Sequence, residues 1–240
     1  MSDRAYGNKA LIAYFSDASY TGGAEKYLCF LASNIDRDLF DPVLIVNRNP
    51  ALDTLRLWME KEQIPVYDVS LNLPYSIGGV ARLIGFLRRL RPDLLHMNLP
   101  GPFGSQYSLV APLARLAGVR HVVTTEHLAM VSSFTKGKIL KSFGTHWVDR
   151  VITVSNDNRF HLINKHGIPD GKIRVVHIGI PDPGRQGPVD IRGELGLTQD
   201  TFLLALVGIL NERKGHRTVF DAMVGLPGRI HLVVVGEGEM

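Results

Sequence analysis

Two adjacent glycines follow the first apolar run, in the stretch SDASYTGGAEKYL, and they raise the chemistry of anion binding. Gly22 and Gly23 stand where a strand gives way to a helix. Glycine lets the backbone approach a ligand closely, and a helix N-terminus offers unpaired N–H groups of partial positive charge, so a phosphate would suit the site. A plain strand-to-helix turn would use the same two residues. The dinucleotide fingerprint G-x-G-x-x-G is absent here. Further on, VVTTEHLAM sets Glu126 and His127 at the carboxyl end of an apolar run. A histidine there can hydrogen-bond a sugar hydroxyl or steady a developing charge, or simply anchor a loop; Glu126 alone reads as structural or solvated. In FLLALVGILNERKGHRTVFDAM, Gly208 ends a run and Lys214 precedes a helix. A lysine at that point can neutralise a departing diphosphate, although a solvated loop lysine looks the same in sequence. Gly236 and Gly238 follow the last run, HLVVV.

The elements that must carry these residues alternate between short β-rich runs and longer stretches of helical period, which predicts an α/β fold with a parallel sheet covered by helices on both faces. Strands are expected over 10–15, 42–46, 64–69, 93–97, 121–125, 150–154 and 173–178. Helices are expected over 23–33, 51–62, 77–90, 103–116, 138–147 and 156–166. Residues 1–180 thus read as one Rossmann-like domain. The stretch 181–198, broken by Pro and Gly, reads as a linker. The pattern then restarts with strand 202–207, helix 217–224 and strand 230–235, the opening of a second Rossmann-like domain over 199–240.

Composition narrows the function classes. Hydrophobic residues make up 45% and charged residues 21%, which fits a folded globular chain rather than a disordered one. The run Ala10 to Phe15 is too short for a membrane span or a signal core. Cys29 is the one cysteine, so neither an internal disulfide nor a cysteine-based metal site can form, and a reducing, cytoplasmic setting is expected. The net charge of +4 is unevenly spread: between residues 69 and 148 only Asp93 and Glu126 are acidic, against nine Lys and Arg residues. That middle region is where an anionic partner would be met. Nucleic acid is disfavoured, because the basic residues lack aromatic stacking platforms and no groove-reading motif appears.

The ordered motifs TGGAEKYLCFLA, TTEH, VITVSNDNRFHLINKHGIPDGKIRVVHIGI, LVGILNERKGH and LVVVGEGE together resemble retaining glycosyltransferases of the family 4 type, which have the GT-B fold. The resemblance covers nearly the whole chain. It implies transfer of a sugar from a UDP- or GDP-sugar donor to an acceptor, with retention at the anomeric carbon and with neither cofactor nor essential metal. Carried over by position, it implies that Gly22 and Gly23 line a phosphate-facing loop and that His127 lies near the transferred sugar. Lys214 would contact the donor diphosphate, Gly208 would end the strand before it, and Gly236 and Gly238 would form the turn near the nucleotide. The catalytic candidates are therefore His127 and Lys214.

Two departures qualify that reading. Ile209 stands where the family usually has an arginine, which removes one diphosphate cation, and His177 with Ile178 replaces a common asparagine-glycine contact. The family's later strands and paired glutamates have no counterpart before Met240. The 240 residues alone are expected to bind donor poorly and turn over slowly or not at all, with a second chain as one source of the missing half. The alternative is a non-catalytic binding or partner subunit that keeps the acceptor domain. For the acceptor, a lipid-linked or polysaccharide glycan is expected at the inner membrane face. Arg82, Arg88 and Arg89 in one helix, and Lys136, Lys138 and Lys141 interleaved with Phe134, Leu140 and Phe143, suit anionic headgroups; a helix packed on the sheet with a solvated basic face suits the first group equally.

Overall fold

A computed structural model describes residues 9–16, 18, 20–69, 76–99, 109–128, 135–180, 182, 184, 187 and 189–238, with side chains of the helix that opens at Thr135 described from residue 141 onward. The chain divides into two compact units, Met1–Pro181 and Asp182–Met240.

The first unit is built on seven strands: β1 (Ala10–Ser16), β2 (Phe40–Val46), β3 (Val66–Asp68), β4 (Leu94–Leu99), β5 (His121–Glu126), β6 (Arg150–Thr153) and β7 (Ile173–Val175). They pair in the order β3-β2-β1-β4-β5-β6-β7, and every pairing is parallel. The expected α/β fold is therefore present. The chain winds outward from β1 to β3, crosses back to β4 on the other side of β1, and winds outward again. Such a reversal opens a crevice beyond the carboxyl ends of the two central strands, which is where ligands bind in this kind of sheet.

Helices cover both faces, and the alternation of side chains along each strand decides which residues meet which helix. Ile12, Tyr14, Leu44 and Val46 pack under α1 (Gly23–Ser33) and α2 (Asp53–Lys61) through Leu28, Cys29, Leu55 and Met59. Phe15, Ile45, Leu95, Met97 and Val122 point the other way. They meet Leu83 and Leu87 of α3 (Ile77–Leu90), Ala111 and Ala114 of α4 (Val110–Leu116), and Leu162 of α6 (Asn156–His166). Between the last two runs α5 (Thr135–His146). Local chemistry sets several boundaries. Ser76 Oγ accepts from the Gly79 N–H at 3.1 Å and Ser155 Oγ from the Asn158 N–H at 3.1 Å, fixing the starts of α3 and α6. Gly167, at φ +65°, closes α6 in the left-handed conformation that favours glycine.

The outer strands are shorter than expected. Over 64–69 the regular strand is Val66–Asp68, and over 173–178 it is Ile173–Val175. Each is an edge strand whose regular pairing stops at its carboxyl end where its neighbour ends, and at the start of β3 Pro65 accepts from the Leu44 N–H but has no N–H of its own to carry the ladder back along β2. Helix α4 is described from Val110, and the first part of the expected helix 103–116 lies outside the described residues.

The second unit holds a two-stranded parallel sheet, β8 (Phe202–Val207) with β9 (Ile230–Val235), and two helices, α7 (Ile191–Glu194) and α8 (His216–Met223). The stretch expected to be a linker thus contains a helical turn, held by Asp190 Oδ1 accepting from the Gly193 N–H at 3.0 Å. Beyond their last residues β8 and β9 keep running side by side: Gly208 N–H donates to Val235 O and Leu210 N–H to Glu237 O, both at 2.9 Å. A methyl group on Gly236 would collide with the Gly208 carbonyl, and one on Gly238 would lie 2.8 Å from Leu210 Cβ. Both positions therefore need glycine for backbone approach. Gly236→Ala is expected to lower the stability of this unit by about 1–3 kcal/mol, the usual cost of forcing bulk into a closed contact. A urea midpoint unchanged from wild type would contradict that account.

No helix among the described residues is long and apolar enough to cross a membrane.

Candidate functional site

Three neighbouring strands of the first unit end in polar side chains where the sheet reverses direction. Register sets Ser16 beside Asn98 and Asn98 beside Thr125, and sets Leu99 beside Glu126. Ser16, Asn98 and Thr125 are fully buried on the α1 side of the sheet, although they lie at the ends of strands that are otherwise apolar. Buried polar atoms need partners, and those partners assemble the site.

Asn98 is the hub. Its Nδ2 donates to Ala24 O, in the first turn of α1, at 3.2 Å, and its Oδ1 lies 2.7 Å from His127 Nε2. The Tyr27 ring meets the His127 ring edge-on, centroids 5.0 Å apart. Two residues earlier on β4, His96 Nε2 pairs with Thr125 Oγ1 at 2.7 Å, beneath the ring of Tyr14. Burial pushes the His127 pKa down to about 4, and burial with the His127 charge pushes His96 down to about 4. Both rings are neutral at pH 7. Depressed histidine pKa values lend stability above the ordinary 6.5, and that contribution is withdrawn as pH falls toward 4. In a histidine-labelled NMR titration the two rings are expected to show midpoints near 4; midpoints near 6.5 would contradict the described burial.

The glycine loop is arranged differently from the expectation for Gly22. The Glu25 carboxylate is buried, with Oε2 accepting from the Gly22 N–H at 3.0 Å and Oε1 from Ser16 Oγ at 3.3 Å. Burial raises the Glu25 pKa, opposed by the Gly22 N–H. Gly22 therefore lines the loop without offering its own N–H to a phosphate, because the Glu25 side chain, three residues further on, has taken it. Gly23 is exposed, and a methyl group there would meet nothing within 4 Å among the described residues, which leave the space beside α1's first turn open on the Gly23 side.

On the opposite face of β5, Glu126 is 1% exposed and ion-paired with Lys141 of α5, itself 3% exposed. Asn158 Nδ2 of α6 holds the Glu126 carbonyl at 2.8 Å. This corrects the membrane-facing expectation for Lys141: the lysine points inward, because an isolated carboxylate in the interior is far too costly. Lys136 and Lys138 lie on the same helix, but their side chains, and Phe134 altogether, are outside the described residues. Arg82, Arg88 and Arg89 of α3 are exposed as expected. Arg82 and Arg89 line a shallow groove with Asp68, Val69 and Phe86. At the amino-terminal edge of the sheet, Arg88, Arg91 and Arg120 line a separate cavity of about 430 Å³.

In the second unit Lys214 is exposed. It follows Asn211, whose Oδ1 accepts from the Lys214 N–H at 3.2 Å, and its methylene carbons lie along Gly208. Ile209 is 41% exposed. Gly208, Gly236 and Gly238 belong to the joined strand ends already described. Among the described residues, no three His, Cys, Asp or Glu side chains cluster so as to hold a metal ion.

His127, Glu126 and the glycine loop are marked in the sequence by their place after apolar runs, whereas Asn98, Tyr27 and Glu25 are not among the residues expected from it. A signal for Asn98 did exist: in LLHMNL a carboxamide closes an apolar strand, in the same way that Glu126 closes VVTTE.

This architecture is that of the amino-terminal domain of GT-B glycosyltransferases. A glycosyltransferase from Rickettsia africae has a TM-score of 0.72 at 17% identity, covering 95% of this chain and 69% of that one. The Anabaena HepE protein, solved in complex with UDP and glucose, has a TM-score of 0.71 at 20% identity, covering 95% of this chain and 61% of that one. Residues 21–182, more than half of the chain, match the model of Glycosyltransferase Family 4, and the chain belongs to that family. A D-inositol 3-phosphate glycosyltransferase from Mycobacterium bovis is 28% identical over 191 residues, which is 73% of this chain. The chain spans 38% of that relative's length.

Proposed function

We propose that these 240 residues form the acceptor-side domain, and the beginning of the donor-side domain, of a retaining glycosyltransferase. Its donor is a UDP- or GDP-sugar and its acceptor a lipid-linked or polysaccharide glycan. The observation that carries this reading is the neutral His127 held by Asn98 at the carboxyl ends of the central strands, in a chain of family 4. A neutral ring beside an open helix N-terminus suits a sugar hydroxyl next to a phosphate: the ring handles the hydroxyl, and the remaining first-turn N–H groups of α1 attract the anion. The complex of HepE with UDP and glucose supports the donor class. Lys214 is the proposed diphosphate cation of the second unit, a role that fits its exposure and its seat beside Gly208. Ile209 removes one of the two diphosphate cations that the resemblance implies, so donor affinity should be modest.

The test is release of nucleotide diphosphate from a panel of UDP- and GDP-sugars, measured for the 240-residue chain and for a version extended by a complete family 4 donor domain. Turnover by the extended version with at least one donor is expected, and weak or no turnover by the shorter chain. No turnover by the extended version across the panel would defeat the proposal. It would favour instead a binding subunit that retains the acceptor domain.

For the acceptor, the exposed guanidinium groups of α3 motivate contact with anionic headgroups at the cytoplasmic membrane face. Each basic residue at such a surface contributes about 1 kcal/mol. Arg82→Ala with Arg89→Ala is therefore expected to weaken cosedimentation with phosphatidylglycerol vesicles by more than tenfold. Equal sedimentation of the variant and the wild type would contradict it.

A further inference from the structure

We infer that Asn98 is a positioning residue: it fixes His127 as the neutral Nε2–H tautomer, so that Nδ1 is presented as a hydrogen-bond acceptor for a hydroxyl group. The inference rests on the sugar-handling role of His127 proposed above, and it names the chemistry of the group that the ring accepts.

The argument starts from the amide. Asn98 is fully buried, so its orientation is set by its neighbours. Its Nδ2 donates to Ala24 O at 3.2 Å. Turning the amide over would set two carbonyl oxygens against each other at that distance, with no proton between them. The atom 2.7 Å from His127 Nε2 is therefore Oδ1, a carbonyl oxygen that can only accept. The ring nitrogen facing it must carry the proton. A neutral imidazole has one N–H, so Nδ1 keeps its lone pair. The titratable neighbours of the ring, Tyr27 of α1 and His96 of β4, are themselves uncharged at neutral pH: burial raises the tyrosine and lowers the histidine.

The consequence for recognition is specific. An Nδ1 lone pair repels phosphate oxygens and welcomes an O–H, so His127 selects for a sugar hydroxyl and is not one of the diphosphate cations. Because the same amide is tied to Ala24, it also links the ring to the first turn of α1, immediately after Gly22 and Gly23. A displacement of that turn would release the tautomer.

Ring-nitrogen NMR of the uniformly labelled chain at pH 7 reads this directly. The wild type is expected to show His127 with a protonated Nε2 and a bare Nδ1. In Asn98→Asp, of the same shape, a carboxylate faces Nε2–H, and the His127 midpoint is expected to rise by at least one pH unit. A residue that merely filled space would move neither signal. A wild-type ring protonated at Nδ1, or a midpoint that stays in place in Asn98→Asp, would overturn the inference. Neither readout needs a donor sugar: the expected ring signals together with no sugar transfer by the extended version would defeat the proposed function and leave the positioning role intact.

Discussion

Lys141→Ala is expected to cost about 3–5 kcal/mol in urea unfolding, the loss typical of removing one partner from a buried ion pair. Domains are stable by about 5–15 kcal/mol in total, so this is a large share. The substitution leaves Glu126 at the inner end of β5 with its carboxylate enclosed and its cation gone. The pH dependence has a definite sign. Burial raises the Glu126 pKa and Lys141 opposes that rise. Without the lysine the folded-state pKa climbs further above the unfolded value, so a proton stabilises the variant more than it does the wild type. The deficit should be greatest at pH 8 and shrink as the pH falls through the raised pKa toward that of an ordinary glutamate. Pairing Lys141→Met with Glu126→Gln should recover much of the loss, because no uncompensated charge remains. If Lys141→Ala unfolded at the wild-type urea concentration, the lysine would be solvated, and its membrane-facing assignment would return.

The second large effect concerns activity. His127→Ala, in the version extended by a donor domain, is expected to lower the rate of sugar transfer by about 100-fold or more, the range seen when one preorganised hydrogen-bonding group beside the reacting centre is removed. The ring also occupies Asn98 Oδ1, so the variant should lose about 1–3 kcal/mol of stability through the unsatisfied amide. A circular dichroism melt separates the two effects. His127→Gln offers a carbonyl in place of the ring nitrogen and should retain more activity than alanine. Transfer rates within threefold of wild type for His127→Ala would remove the histidine from the reaction.

Much of the fold is legible in the chain itself because local chemistry marks the ends of its elements. Serine caps at Ser76 and Ser155, glycine at Gly22 and Gly167, and uninterrupted apolar runs give α1, α3, α6, β8 and β9 to the residue. Edge strands are less legible. The runs over 64–69 and 173–178 are apolar enough to pair throughout, yet each ends where its neighbour ends, and β3 starts only after Pro65, which has no N–H to donate. The site divides the same way. That His127 and Gly22 stand at the ends of a strand and a turn follows from sequence. That Asn98 holds His127, or that Lys141 reaches back to Glu126, does not. Those pairs depend on β4 lying between β1 and β5 and on the inward face of α5, and no spacing in the chain encodes either. Gly22 shows a third case, in which the motif is read correctly and its donor is nevertheless taken by Glu25 three residues on.

The most direct measurement is amide and ring NMR of the labelled 240 residues, within the version extended by a donor domain, during addition of a millimolar UDP- or GDP-sugar that this version turns over. The account predicts shifts that gather at Gly23, Ala24, Asn98 and His127, around the ends of the central strands. Shifts confined to Arg88, Arg91 and Arg120 at the far edge of the sheet, or no shifts at all, would contradict it.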